Sequence, residues 1–354
     1  MKKLISFIVF VVLVGLSVYG LKIYSDNNVQ EPLTSVESTE IKEDINANYT
    51  KRFEKKPILI SAKNGVISIR SKYNDDYDIN YLWSQNGGNS LFDYHSSQLI
   101  PNKDEYPTTT GEIETSHNAA TDFLGPHMVM AINKIDGDYL DGTTHFTGGN
   151  HAYENKAEGT PTARTIDIAV KVDGEEIDDY MNFNKKADNI EISWVNYVQA
   201  SNTKKIDGSG REVLKETYNL VFDGEKYTIT NQIEFLEDVF WERLYGIQFS
   251  YRDNWNDTIT YVYDDSEETY SISENTDASY PIVKEVIISD GTDNVAFGID
   301  TNSEVGSREF LNDVSSGAFN NGTGKKAYLR LVNNQYMNAG DIVEYSGYYR
   351  FYSE

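Results

Sequence analysis

The sequence predicts an all-β protein, a large antiparallel β-sandwich behind one apolar N-terminal segment. Three observations point there. Tyrosine is unusually frequent, 26 of 354 residues, beside abundant Asn, Asp, Thr and Ser, a composition of strands and turns. From about Lys56 apolar and polar residues alternate in short runs, while helical runs with a 3.6-residue period are hard to find. Asp-Gly pairs at 173–174 and 223–224 stand where alternating runs meet, as in hairpins.

The elements follow in chain order. Lys2 and Lys3 precede "LISFIVFVVLVGLSVYGL", residues 4–21, which is uncharged and almost wholly apolar. Eighteen residues is short for a membrane span and long for a signal-peptide core. The two lysines place the N-terminus in the cytoplasm and the bulk of the chain outside. Residues 1–22 are therefore expected to be a signal anchor and transmembrane helix, giving a single-pass membrane protein with an extracytoplasmic domain. Cleavage after Gly20, with Val18 at the −3 position, would instead give a secreted protein. Residues 23–55 are polar and acidic and read as a disordered tether.

The remainder, 56–354, is expected to form one sandwich domain. "PILISA", "GVISIRS" and "DINYLWS" read as its first strands. "RTIDIAVKV" (164–172), "IEISWVNYVQA" (190–200), "REVLKETYNLVF" (211–222) and "EKYTITNQIEF" (225–235) alternate most clearly. The last two flank Asp223-Gly224 and predict a hairpin, with Tyr218, Leu220 and Phe222 on one face. "ERLYGIQFSYR", "TITYVYDD", "ETYSIS", "KEVIISD", "NVAFGID", "KAYLRLV" and "DIVEYSGYYRFY" continue the meander.

Composition excludes several functions. Without cysteine there is no disulfide, thiolate metal site, cysteine nucleophile or lipoprotein anchor. A net charge of −25 makes nucleic acid and anionic membrane surfaces poor partners for most of the surface. No Walker A loop, dinucleotide fingerprint, G-x-S-x-G elbow or H-E-x-x-H motif is present.

All five histidines, His95, His117, His127, His145 and His151, fall between residues 95 and 151. "HFTGGNHAYENKAEGTPTAR" (145–164) gathers two of them with Asn150, Tyr153 and Arg164 around Gly148-Gly149. Imidazole transfers protons near neutral pH, and Asn offers a donor and an acceptor to a sugar hydroxyl. Arg holds a carboxylate bidentately. In an extended strand His145 and His151 would share a face unless the glycines shift the phase. The bland alternative is that these side chains bond the backbone of a loop. Asp136, Asp138 and Asp141 suggest a calcium loop, but Leu140 occupies a position where an EF-hand needs oxygen. Trp255, between Asn and Asp residues, reads as an exposed stacking platform, unless it packs in the core.

The C-terminal "NNQYMNAGDIVEYSGYYRFY" resembles the closing strands of the galactose-mutarotase-like super-sandwich through Met337, Gly340, Asp341, Tyr349 and Phe351. "GGNHAY" is similar to the Gly-Gly stretch of sugar epimerases, with Thr147 where that motif has histidine and Ala152 at its third glycine. Asn150-His151-x-Tyr153-x-Asn155 aligns in an alternative register. Asp341 stands where the family's acidic base is glutamate. The resemblance implies aldose epimerases, polysaccharide lyases or non-catalytic carbohydrate modules.

The expectation is an extracytoplasmic protein that binds carbohydrate or a cell-wall polymer, with no cofactor. Its alternatives are an epimerase or lyase and a surface interaction protein without a small ligand. In a catalytic reading His145 or His151 transfers the proton and Tyr153 or Asp341 complements it. Asn150, Arg164, His117, His127 and Trp255 are the candidate substrate-binding residues.

Overall fold

A computed structural model describes residues 57–118, 125–133, 135, 145–153, 159–251, 255–273, 278–307, 309–312, 316–321 and 325–354. The N-terminal segment, the tether and Asp136, Asp138 and Asp141 lie outside these residues. Among the described residues no helix is long and apolar enough to cross a membrane.

Twenty-two strands follow one another among the described residues. The first five are β1 (Ile58–Lys63), β2 (Val66–Lys72), β3 (Tyr77–Asn86), β4 (Leu91–Pro101) and β5 (Thr115–Asn118). Then come β6 (His127–Ala131), β7 (Phe146–Thr147), β8 (Ala163–Val172), β9 (Glu175–Glu176), β10 (Asn182–Ala187) and β11 (Ile190–Gln199). β12 (Glu212–Phe222), β13 (Lys226–Phe235), β14 (Val239–Ser250), β15 (Thr258–Val262) and β16 (Glu267–Ser271) continue the chain. β17 (Ala278–Pro281), β18 (Glu285–Ser289), β19 (Asp293–Ile299), β20 (Ser316–Asn321), β21 (Lys326–Met337) and β22 (Ile342–Ser353) complete it.

They form three sheets, ordered β10–β1–β2–β3–β4–β5, β16–β15–β18–β19–β22–β13–β12–β11–β8–β9 and β17–β20–β21–β14–β6–β7. The all-β, antiparallel expectation therefore holds. The hairpin around Asp223-Gly224 is β12–β13, in register from Leu214↔Phe235 to Phe222↔Tyr227. Asp223 Oδ1 closes its turn by accepting from the backbone N–H groups of Glu225 and Lys226. The turn at Asp173-Gly174 returns only two residues, as β9, and β8 pairs along its length with β11.

Period two explains the layering. Trp194, Tyr218, Asn231 and Tyr345 stand side by side across β11, β12, β13 and β22 and are all buried. The first sheet covers part of this face: Trp83 and Phe92 meet Trp194, and Tyr81 meets Phe222. The third sheet covers another part, with Trp241 against Phe235 and Phe249 against Phe297. The two smaller sheets thus lie over one face of the ten-stranded sheet. Each large apolar side chain so buried contributes about 1.5–3 kcal/mol. All four tryptophans are at most 1% exposed and belong to this core.

Candidate functional site

Among the described residues of the histidine window, β4 and β5 lie at one end of the first sheet and β6 and β7 at one end of the third, with a turn after β7. Gly148 and Gly149 have φ of 73° and 48°, and they reverse the chain after β7. His151 N–H then donates to Gly148 carbonyl at 3.0 Å, closing a tight turn. His145 and His151 therefore do not continue one extended strand. The turn is held from the β3–β4 connection. Asn150 Oδ1 accepts from Gly88 N–H at 2.6 Å, and Asn89 Nδ2 donates to the carbonyls of Gly149 and His151.

The other anticipated residues are dispersed. Tyr153 is buried, and its hydroxyl bonds Gln199 Oε1 at 2.9 Å and Ala200 carbonyl at 3.1 Å. Arg164 is engaged bidentately by Glu212, at 2.6 and 3.0 Å, and lies over the Tyr197 ring. Glu212 raises its pKa accordingly. Asp341 Oδ2 accepts from Asn338 N–H at 2.8 Å, capping the turn between β21 and β22. His117 is on β5 opposite Ser97. Trp255, at positive φ, is 1% exposed and packs edge-on against Phe351, so it presents no stacking platform to solvent. Among the described residues no His, Asp and Glu side chains cluster as a metal site would.

His127 has a different setting. It is fully buried on β6, and its ring is bonded at both nitrogens. Trp241 Nε1 donates to Nδ1 at 3.1 Å, which leaves Nε2 to donate to Glu216 Oε1 at 2.9 Å. Glu216, itself 2% exposed, also accepts from Tyr218 hydroxyl at 2.6 Å and Asn231 Nδ2 at 3.1 Å. Burial, then the Glu216 charge, raises the Tyr218 pKa well above the phenol value. This network ties the third sheet to the ten-stranded sheet from within. His127, Tyr218 and Asn231 all donate to this one carboxyl group.

The outward face of the third sheet carries the arrangement best suited to a ligand. Arg243 and Tyr245 alternate with buried Leu244 on β14, and Tyr328 and Arg330 alternate with buried Leu329 on β21. Register brings them into one band. Phe319 of β20 is opposite Tyr328, Tyr245 is opposite Arg330, Arg243 is opposite Met128 of β6, and Met128 is opposite Phe146 of β7. All of these side chains are partly open to solvent. Ring centroids are 5.3 Å apart for Phe319–Tyr328, 4.5 Å for Tyr328–Tyr245 and 5.5 Å for Tyr245–Phe146, and His151 lies 5.2 Å beyond Phe146. The Arg330 guanidinium sits 4.9 Å from the Phe319 centroid and 6.0 Å from that of Tyr245. That of Arg243 is 5.6 Å from the Tyr245 centroid and donates to its hydroxyl at 3.1 Å.

His151 is brought to this band by its ring contact with Phe146. Arg243, Tyr245, Phe319, Tyr328 and Arg330 were not among the expected site residues. Their signal is the Arg-x-Tyr of "ERLYG" and the Tyr-x-Arg of "AYLRL", which period two places on one face each.

No family model matches the chain, and no curated protein matches it. Among solved structures the chain is similar to a galactose 1-epimerase from Lactobacillus acidophilus NCFM, at 8% identity and a TM-score of 0.38. That match covers 85% of this chain and 99% of the other. It is also similar to a heparan sulfate lyase HepC mutant from Pedobacter heparinus, at 9% identity and a TM-score of 0.33, with 84% of this chain and 37% of the lyase covered. These neighbours are a sugar epimerase and a polysaccharide lyase, classes that the sequence resemblance also names.

Proposed function

We propose that the protein is a carbohydrate-binding protein of super-sandwich type, held at the outer side of the membrane by its N-terminal segment. The observation that carries this reading is the band Phe319–Tyr328–Tyr245–Phe146, flanked by Arg243 and Arg330. A pyranose has an apolar C–H face and a rim of hydroxyls. Flat rings beneath it and N–H donors beside it complement both. The spacing of neighbouring ring centroids, 4.5–5.5 Å, gives a continuous platform rather than one isolated ring. Phe240 and Tyr336, 5.0 Å apart, extend the aromatic surface along β14 and β21, and Tyr336 is 74% exposed. A contiguous aromatic surface partly open to solvent supports an interaction site.

The test is affinity electrophoresis of the full chain, in a detergent without a sugar headgroup, through gels containing individual polysaccharides. Retardation by at least one polysaccharide is expected. Tyr245→Ala and Tyr328→Ala should each weaken it by about 0.5–1.5 kcal/mol, roughly two- to twelvefold in affinity. Retardation that both variants keep in full would remove the site from this face. No retardation across neutral and charged polymers would end the carbohydrate reading.

A further inference from the structure

The two guanidinium groups on this face are set differently from those of Arg164 and Arg211. The chain has 56 acidic and 31 basic residues, so a guanidinium seldom needs to go without a carboxylate. Arg164 is paired with Glu212, and Arg211 with Glu237. Arg330 is partly buried, within cation–π reach of Phe319 and Tyr245, and is ion-paired with no carboxylate among the described residues. Its Nε is out of solvent without a hydrogen-bond partner, and so is that of Arg243. Among the described residues the one carboxylate near Arg243 is that of Glu242, at 3.9 Å, beyond hydrogen-bond reach. Two cations are thus drawn partly out of water around one tyrosine ring with little neutralisation, an arrangement that costs free energy until an anion arrives.

Resting on the carbohydrate reading above, we infer that this face binds acidic sugars: the Arg243–Arg330 pair takes the carboxylate of a uronic-acid residue whose ring stacks on the aromatic band. A guanidinium lying flat on a ring directs its N–H edge sideways. A carboxylate in the plane of the neighbouring pyranose meets that edge, and the fork geometry suits its two oxygens. Lysine would offer only a point charge. The negative charge elsewhere on the protein opposes general adsorption of polyanions, so retention of an acidic polymer reports a local site.

The experiment compares polygalacturonate, the same polymer after methyl esterification, alginate, hyaluronan and polyglutamate, by affinity electrophoresis of the full chain. Wild type should bind at least one acidic polysaccharide. For polygalacturonate, esterification should weaken binding by about tenfold or more. Arg330→Gln should lose the preference for the charged form while keeping residual binding to the ester. Arg330→Lys should restore only part of it, and Tyr245→Ala should weaken both forms. Melting temperatures within about 2 °C of wild type would show that the variants are folded. Equal binding of charged and esterified polymer, unchanged by Arg330→Gln, would overturn the acidic-sugar inference and leave the carbohydrate reading standing. Polyglutamate bound as tightly as the uronates, with Tyr245→Ala silent, would overturn the carbohydrate reading and leave an anion site. Binding to none of the five polymers would overturn the inference.

Discussion

Glu216→Ala tests the buried network that joins two sheets. The wild-type carboxyl group accepts from His127 Nε2, Tyr218 hydroxyl and Asn231 Nδ2 at 2.9, 2.6 and 3.1 Å, in a site that is 2% exposed. Alanine leaves these three buried donors, and the more distant Asn196 Nδ2 at 3.5 Å, facing a void. Each unsatisfied donor costs about 1–3 kcal/mol, but Tyr218 can rotate its hydroxyl and water can enter the space, so the sum is not reached. The expected loss is about 3–5 kcal/mol, the range for removing one partner from a buried pair. Glu216→Gln keeps an acceptor oxygen and should cost less than half as much. The assay is urea denaturation followed by tryptophan fluorescence, where Trp241 and Trp194 report the two sheets. His127→Ala and the double variant complete a cycle, with an expected coupling of about 1–3 kcal/mol. A Glu216→Ala loss below about 1 kcal/mol, or additive effects of the two substitutions, would refute the claim that this network joins the sheets.

Three further outcomes follow from other positions. Gly125 N–H donates to Gly246 carbonyl, and a Cβ at 125 would stand 1.2 Å from Tyr245 carbonyl, so Gly125→Ala must displace the irregular part of β14 that aims Tyr245. We expect a loss of more than about 2 kcal/mol in urea denaturation together with weakened glycan binding, and an unchanged variant would contradict that packing. Burial raises the Glu285 pKa above its ordinary value, partly offset by the Tyr348 hydroxyl bonded at 2.6 Å. The folded state then holds the proton more tightly than the unfolded one, so this contribution is full below pH 4.5 and is lost as pH rises through the raised folded pKa. Glu285→Gln should flatten that decline in melting temperature, and an identical pH profile would contradict it. Tyr153→Phe removes the bonds to Gln199 and Ala200 and should cost about 1 kcal/mol while leaving glycan binding intact; lost binding at unchanged stability would give Tyr153 a ligand role instead.

Much of the fold is legible in the sequence because period two and Asp-Gly turns act locally. β12–β13 and the buried Tyr218, Leu220 and Phe222 follow from that pattern alone. The candidate site is less legible. Tyr245 and Arg330 are far apart in sequence and meet only through the β14–β21 register, which shifts on either side of Tyr245. Alternation assigns Arg243 and Tyr245 to one face, but not which face stays uncovered. Trp255 lies in a polar run yet turns inward at positive φ, a placement that tertiary packing decides. Gly148-Gly149 announces a turn, and that turn is why His145 and His151 do not align. Asp341 three residues after Asn338 is a local capping pattern, which the structure shows as the closure between β21 and β22.

Hydroxyl-radical footprinting of the full chain, with and without a polysaccharide that it retains, locates the binding face. It reads the oxidation of individual rings. Phe146, Tyr245, Phe319 and Tyr328 should be protected together, while Tyr106, which is 55% exposed, stays unchanged. Binding without protection of these four rings would contradict the placement of the site on this face.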